Sequence, residues 1–191
     1  MERFKMVVLN LILVLILQPA IAQVTLKTNA VSVVVAGTST LHDWEMKAGN
    51  GSIAASFEFD AAGKPTDVVS LNFVVGPTAL KSGKDAMDNN AYKAMDTKTY
   101  NIIKFAATSG TVTPQGNGYL VKCTGLLQIA GKAVNTEITA TCTVAADGSI
   151  SFNGKKAIKM TTFGVKPPTF MMGSIKTGDD ITISYSGVMR K

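Results

Sequence analysis

From Tyr119 to Val144 the chain alternates apolar and polar side chains with a period of two, interrupted once at Gly131. That period belongs to strands with one buried and one wet face. Tyr119, Val121, Cys123, Gly125, Leu127 and Ile129 share one face, against Lys122, Thr124 and Gln128. Beyond Gly131, Val134, Thr136, Ile138, Ala140, Cys142 and Val144 stand opposite Asn135, Glu137, Thr139, Thr141 and Thr143, so the two runs read as one long hairpin. The same logic predicts strands at Ile53–Phe59, Val69–Val75, Ile103–Ser109, Ile150–Phe152, Ala157–Phe163 and Ile181–Tyr185. Asn50-Gly51, Asn117-Gly118, Asp147-Gly148 and Gly178-Asp179 offer residues tolerant of positive φ and are predicted turns. Strands at this spacing make a sandwich or a barrel.

One segment breaks the rhythm. Ser82–Thr97 places Met87, Ala91, Ala94 and Met95 at helical spacing, with Asp85, Asp88, Asn89, Lys93 and Asp96 largely elsewhere, which predicts an amphipathic helix capped by Ser82 with Asp85. A mainly β fold follows: an antiparallel barrel of about eight strands with one inserted helix. Closure removes the sheet edges, and such a barrel is either filled by side chains or holds one small ligand.

Residues 1–22 are excluded from the fold. Arg3 and Lys5, the apolar run Met6–Leu17 and the small-x-small site Ala20-Ile21-Ala22 read as a secretory signal. The run is shorter than the about 20 residues a membrane span needs, and no second one follows, so no transmembrane anchor is expected in a mature chain starting at Gln23. Residues 23–191 suit one domain, exported to the periplasm or secreted. Removing the signal leaves 17 of the 19 basic and 12 of the 13 acidic side chains, a formal charge of +5. That excess is dispersed, with Lys155, Lys156 and Lys159 read as a solvated strand edge, and it lacks the basic stripe with interleaved aromatics that nucleic-acid binding wants.

The inward positions include Phe57, Phe59, Phe73, Phe105, Leu127, Ile138, Phe152, Met160 and Ile183, with small Ala55, Gly125 and Ala140 among them. The small residues either leave a cavity or make room for the phenylalanines. His42 is the single histidine, so a histidine-based metal cage is excluded within one chain. Ser39, His42 and Asp43 supply the residue types of a hydrolytic triad, but neighbours along an extended segment point to opposite sides and no G-x-S-x-G elbow occurs. A turn that satisfies its own backbone, with Trp44 plugging one barrel end, is the favoured reading; His42 or Trp44 touching a ligand head group is the other. Cys123 and Cys142 share the inward face of adjacent strands and are a disulfide candidate. With a two-residue loop, Cys123 is expected to face Ala140 with Cys142 diagonal; a longer loop sets the thiols opposite. The alternative is two buried free thiols, and without Cys-x-x-Cys or nearby charge a redox pair is not expected. Phe170, Met171 and Met172 form a soft apolar cluster after Pro167-Pro168, suited to packing or to a compliant wall for an alkyl tail. Lys81, Lys84, Lys93, Lys98 and Lys104 lie near the helix and are candidates for a phosphate.

Several strings resemble those of the YceI-like, polyisoprenoid-binding family. They are the opening Ser39-Thr40-Leu41-His42-Asp43-Trp44, the Gly125-Leu126-Leu127-Gln128-Ile129-Ala130-Gly131 hairpin, and Leu80–Phe105 ending in Tyr100-x-x-Ile103-x-Phe105. The closing run from Phe163-Gly164 through Met171-Met172-Gly173 to the last strand completes the likeness, which spans essentially the whole mature chain. Asn101 replaces a frequent proline, and Lys132-Ala133-Val134-Asn135 replaces a common Thr-Lys-Pro; both are loop changes. The resemblance implies an extended lipocalin-like barrel that holds an isoprenoid chain, such as a quinone or polyprenyl lipid, without catalysis and with no cofactor beyond that lipid. The expected lining is Phe57, Phe59, Phe73, Phe105, Leu127, Ile129, Ile138, Phe152, Met160, Phe163, Phe170, Met171, Met172 and Ile183, with His42, Trp44, Lys81 and Lys84 at the mouth. Two alternatives stay open: a filled barrel serving as an envelope stress or interaction module, and an enzyme using His42 and Asp43 on a bound lipid. Whether the chain forms a homodimer also stays open.

Overall fold

Eleven elements follow one another in the computed structural model, which describes residues 22–191. They are β1 (Ala22–Ser39), β2 (Trp44–Phe59), β3 (Pro65–Val75), α1 (Asp85–Ala94), β4 (Ile103–Ala107), β5 (Gly110–Gln115), β6 (Gly118–Ile129), β7 (Lys132–Val144), β8 (Ile150–Lys159), β9 (Thr169–Phe170) and β10 (Ile175–Met189). Apart from Ala22, the expected export signal lies outside the described residues. The strands pair antiparallel in the order β1-β2-β3-β4-β6-β7-β8-β10, and β10 returns to β1 through Ile181–Ser186 against Ser32–Gly37. The sheet therefore closes into an eight-stave barrel, with β5 extending the β4 stave between β3 and β6. Among the described residues no helix is long and apolar enough to cross a membrane.

The alternation that predicted the β6–β7 hairpin is realised: Val121, Cys123, Leu127 and Ile129 on β6 and Thr136 and Cys142 on β7 are buried. Ile129 pairs with Lys132 across a two-residue turn, Ala130 at φ 47° and Gly131 at φ 78°. This is the doubly left-handed geometry that matches strand twist. The resulting register places Cys123 opposite Ile138, not Ala140, and Cys142 opposite Tyr119. The two cysteines are four positions out of step, and both are free and buried. A disulfide needs Cα atoms within about 7 Å, so the bridge candidate is not realised.

Two predicted turns are strand interior instead. Asn50-Gly51 lies inside β2, where a Cβ on Gly51 would stand 2.9 Å from the Phe73 ring and 3.1 Å from Val31. The glycine is needed for close approach at the point where β1 bulges between Thr28 and Val33. Gly178-Asp179 lies inside β10; a Cβ on Gly178 would meet Thr38 Oγ1 at 2.7 Å, and the Asp179 carboxylate accepts from Thr161 N–H at 2.9 Å and Thr161 Oγ1 at 2.6 Å. The strands expected at Ile150–Phe152 and Ala157–Phe163 are one strand, β8, followed by a 3₁₀ turn over Met160–Phe163. Gly154 joins them, packed under Tyr185. Lys155 and Lys159 are exposed as expected, but Lys156 pairs with Ile183, shares its inward face and is half-buried.

Helix α1 is shorter than predicted and Ser82 does not cap it: the N-cap is Lys84, which makes no side-chain capping bond, and Ser82 bonds Asp88 in place of Asp85. Ser82 Oγ donates to Asp88 Oδ1 at 2.6 Å and its N–H at 2.8 Å, fixing a non-helical entry before Asp85. Tyr92 Oη donates to the Leu80 and Thr78 carbonyls at 2.6 and 3.0 Å, and Lys81 exchanges two backbone hydrogen bonds with Lys47 on β2. The helix is thereby pinned across one end of the barrel.

The barrel's two ends differ. Toward the β2–β3, β5–β6 and β7–β8 turns, Leu26, Phe57, Val68, Cys123, Cys142, Ile150, Phe152 and Met189 fill the interior. Toward α1 the strands splay. β8 holds β7 only over Ile150–Asn153 against Thr141–Val144, after which the two part, and Tyr185 Oη spans the parting to donate to the Thr139 carbonyl at 2.6 Å.

Candidate functional site

Under α1 the interior is hollow. A cavity of about 410 Å³ occupies the upper half of the barrel, within the ~300–1,000 Å³ usual for small-ligand sites. Its wall comes from the upper halves of the strands: Val33 and Val35 on β1, Met46 on β2, Phe73 and Val75 on β3, Ile103 on β4, Leu127 and Ile129 on β6, Ile158 on β8, Ile181 and Ile183 on β10. The roof is the helix face of Met87, Ala91, Ala94 and Met95, the stripe expected from the sequence, joined by Ala86 and Leu80. Small alanines facing the interior keep the roof from filling the space below it.

The rim is built from the β1–β2 loop, the start of α1 and the segment from Met160 to Thr177. Trp44 lines it, its indole laid over Gly37 and its Nε1 donating to the Thr38 carbonyl at 2.9 Å. Ser39 Oγ donates to the His42 carbonyl at 2.7 Å and accepts the His42 N–H at 3.1 Å, while His42 Nδ1 donates to the Asp43 carbonyl at 2.6 Å. The Ser39 and His42 side chains are thus spent on their own turn. Ser39 and His42 border the cavity, but the hydroxyl, ring and Asp43 carboxylate do not form a relay. Thr40 Oγ1 donates to the Ser174 carbonyl at 3.4 Å and accepts the Lys176 N–H at 3.1 Å, tying the two rim loops together.

Of the expected lining, Phe73, Leu127, Ile129, Met160, Phe163, Phe170, Met171 and Ile183 border the cavity. Phe57, Phe59, Phe105, Ile138 and Phe152 belong to the packed core below or beside it. Met172 stands outside, wholly exposed. Of the mouth candidates, His42, Trp44 and Lys84 border the cavity; Lys81 instead pairs with Asp88 at 3.6 Å and lies 5.1 Å from the Tyr92 ring centre. Tyr92 and then Asp88 hold the Lys81 ammonium above its ordinary value, and the Ser82 hydroxyl and N–H, with Lys81 behind them, hold Asp88 below the usual carboxylate range. Lys84 has no ion pair among the described residues. The reading from sequence missed Val33, Val35, Met46, Leu80, Ile158 and Val165 as lining; the β1 and β2 residues among them lie where a bulge breaks the alternation.

Burial pushes the thiols of Cys123 and Cys142 up to about 11 and about 12, with the Asp67 charge adding to the first and Cys123 to the second. They are inert core groups. Burial likewise raises the Tyr185 phenol to about 12, against the opposing hydrogen bond to Thr139.

The sequence matches the YceI-like domain model over residues 18–189. The chain belongs to the YceI-like family. Solved structures agree on the barrel. BcnA of Burkholderia cenocepacia is 20% identical, with a TM-score of 0.66 over 84% of this chain and 96% of that one. A polyisoprenoid-binding domain from Saccharophagus degradans, implicated in plant cell wall breakdown, is 12% identical, with a TM-score of 0.63 over 90% and 99%. The YceI protein of Campylobacter jejuni is 21% identical, with a TM-score of 0.54 over 73% and 81%. Comparison with curated proteins finds no match. At these identities the structures establish the fold, and within this YceI-like fold the hollow half sits beneath the inserted helix.

Proposed function

We propose that this YceI-like protein is an exported, non-enzymatic carrier that shields an isoprenoid or similar long-chain amphiphile in the cavity beneath α1. The observation that carries the reading is the cavity wall, aliphatic, aromatic and methionine side chains with polar groups confined to the rim. Such a space takes up hydrocarbon by burial, each CH₂ contributing about 0.8 kcal/mol. Soft Met87, Met95, Met160 and Met171 around it suit a tail of variable shape. Lys84 and His42 at the rim are the groups placed to meet a head group, and a quinone or polyprenyl lipid fits that polarity. The polyisoprenoid-binding domain among the similar folds supports the choice of ligand class. A tail longer than the cavity leaves through the rim.

An enzymatic role has less support, because Ser39 and His42 make turn bonds and the titratable groups bordering the hollow, His42 and Lys84, stand at its rim with no carboxylate among the described lining. The filled-barrel module has less support because the upper half is not filled. The test is mass spectrometry of organic extracts from protein purified without detergent, beside a mock purification. A stoichiometric long-chain lipid is expected; a blank that persists after incubation with quinone and polyprenyl phosphate would overturn the reading.

A further inference from the structure

We infer that the rim docks on an anionic lipid bilayer, with Leu41, Met171 and Met172 entering the interface and Lys84, Lys166 and Lys176 meeting lipid phosphates. Leu41 is 65% exposed, Met171 75% and Met172 wholly so, an unusual display of large apolar side chains at one end of a barrel. They come from loops far apart in sequence, yet the Thr40 bonds to Ser174 and Lys176 hold those loops side by side. Leu41 and Met171 also border the cavity, so the patch is continuous with the opening.

The backbone holds the tip in place. Met171 and Met172 have φ of 49° and 56°, a left-handed conformation that side chains other than Gly, Asn and Asp rarely adopt. Packing gives no return for this at Met172, whose side chain touches solvent all round. An apolar, conformationally costly residue projecting into water is explained by an apolar phase that meets it.

The chemistry favours a membrane over a protein. Three protruding side chains fall far short of the roughly 800 Å² per partner of a standard protein interface, but shallow insertion beside basic residues is how peripheral proteins hold a bilayer. Lys84, Lys166 and Lys176 are exposed at this end without an ion pair among the described residues, against exposed Asp43 and Asp85; Glu45 and Asp180 are paired with Lys47 and Lys159, and Asp179 is bonded to Thr161. Docking there brings the opening to the surface from which a lipid could be drawn, but the contact itself needs no lipid in the cavity.

The test is flotation of the whole protein with vesicles of phosphatidylcholine containing about one-third phosphatidylglycerol, at low salt. Binding about tenfold stronger than to phosphatidylcholine alone is expected, falling as salt is added. Met172→Asp should weaken it about tenfold. That variant lies outside the cavity wall and places an aspartate where a left-handed backbone accepts one, so thermal midpoint and retained lipid should not fall. The pair Lys166→Glu and Lys176→Glu should abolish the preference for anionic vesicles. Failure of the wild type to float, equal flotation on both vesicles, or unchanged flotation of Met172→Asp would overturn the docking. So would a wild-type dimer that Met172→Asp dissociates, which would make the patch a contact between copies. An empty cavity with intact flotation would count against lipid carriage and leave the docking standing.

Discussion

Ala91→Leu should close part of the cavity without harming the fold. Ala91 sits mid-helix on the roof, facing the hollow, and leucine is nearly as good a helix former. The substitution adds three carbon atoms into space that a bound tail would otherwise occupy. If each displaces one methylene of ligand at about 0.8 kcal/mol, the tail loses ~2.4 kcal/mol of burial, or about 50-fold in affinity. The added side chain fills a void, so the free protein should unfold at the same or slightly higher denaturant concentration. The assay is retention of a long-chain isoprenoid after gel filtration, titrated to a dissociation constant, beside a urea unfolding curve. Reduced affinity with unchanged stability is the signature of a filled site, because a merely damaging mutation would lower both. Undiminished retention by the stable variant would show that the lipid does not lie under α1.

Three further outcomes follow from the same contacts. Asp88→Asn should loosen α1 and flatten the acid limb of the stability curve: the folded carboxyl is held below its ordinary value, so its stabilisation is present above the unfolded pKa of about 4 and is lost as pH falls through the folded value. Thermal midpoints of both forms across the acid range check this, and parallel curves would refute it. Cys123 and Cys142, with raised thiol values, should ignore a thiol reagent at neutral pH in the native state and both react, without reductant, once denatured; no reaction in denaturant would reveal a bridge. Tyr185→Phe should cost about 1–3 kcal/mol in urea unfolding, because the Thr139 carbonyl at the β7–β8 parting loses its donor, and an unchanged midpoint would mean that water replaces the hydroxyl.

The sequence was legible where inward parity ran unbroken and illegible where it switched. β6 and β7 keep one parity from end to end, so their faces and hairpin could be read directly. β1 buries Leu26 and then Val31 and Val33, changing from even to odd positions, and β2 buries Met46 and Ala48 and then Ile53, Ala55 and Phe57, changing in the same way. The bulge between Thr28 and Val33 lies opposite Gly51, so the two slips match in space while each breaks the pattern in sequence. β1 was therefore overlooked as a strand, and Asn50-Gly51 read as a turn. The cysteine pairing failed for a related reason: a shared face was visible, but thiol separation depends on a register that only the turn geometry at Ala130-Gly131 fixes.

The cavity shows a different limit. The helical stripe of Met87, Ala91, Ala94 and Met95 and the strand residues Phe73, Leu127 and Ile183 were all identifiable as inward, yet inward is not the same as touching. Whether two inward faces meet depends on the height at which the helix is hung. That height is set by polar contacts well outside the apolar pattern: the Tyr92 hydroxyl on the Leu80 carbonyl, the Lys81–Lys47 backbone pair, and Ser82 on Asp88. Together they fasten α1 at its entry and along one side, so the helix bridges the splayed strand ends without sinking between them. The apolar residues create the tendency to collapse, and these hydrogen bonds stop the collapse short, which is why an apolar cavity can persist in a chain that has the side chains to fill its lower half.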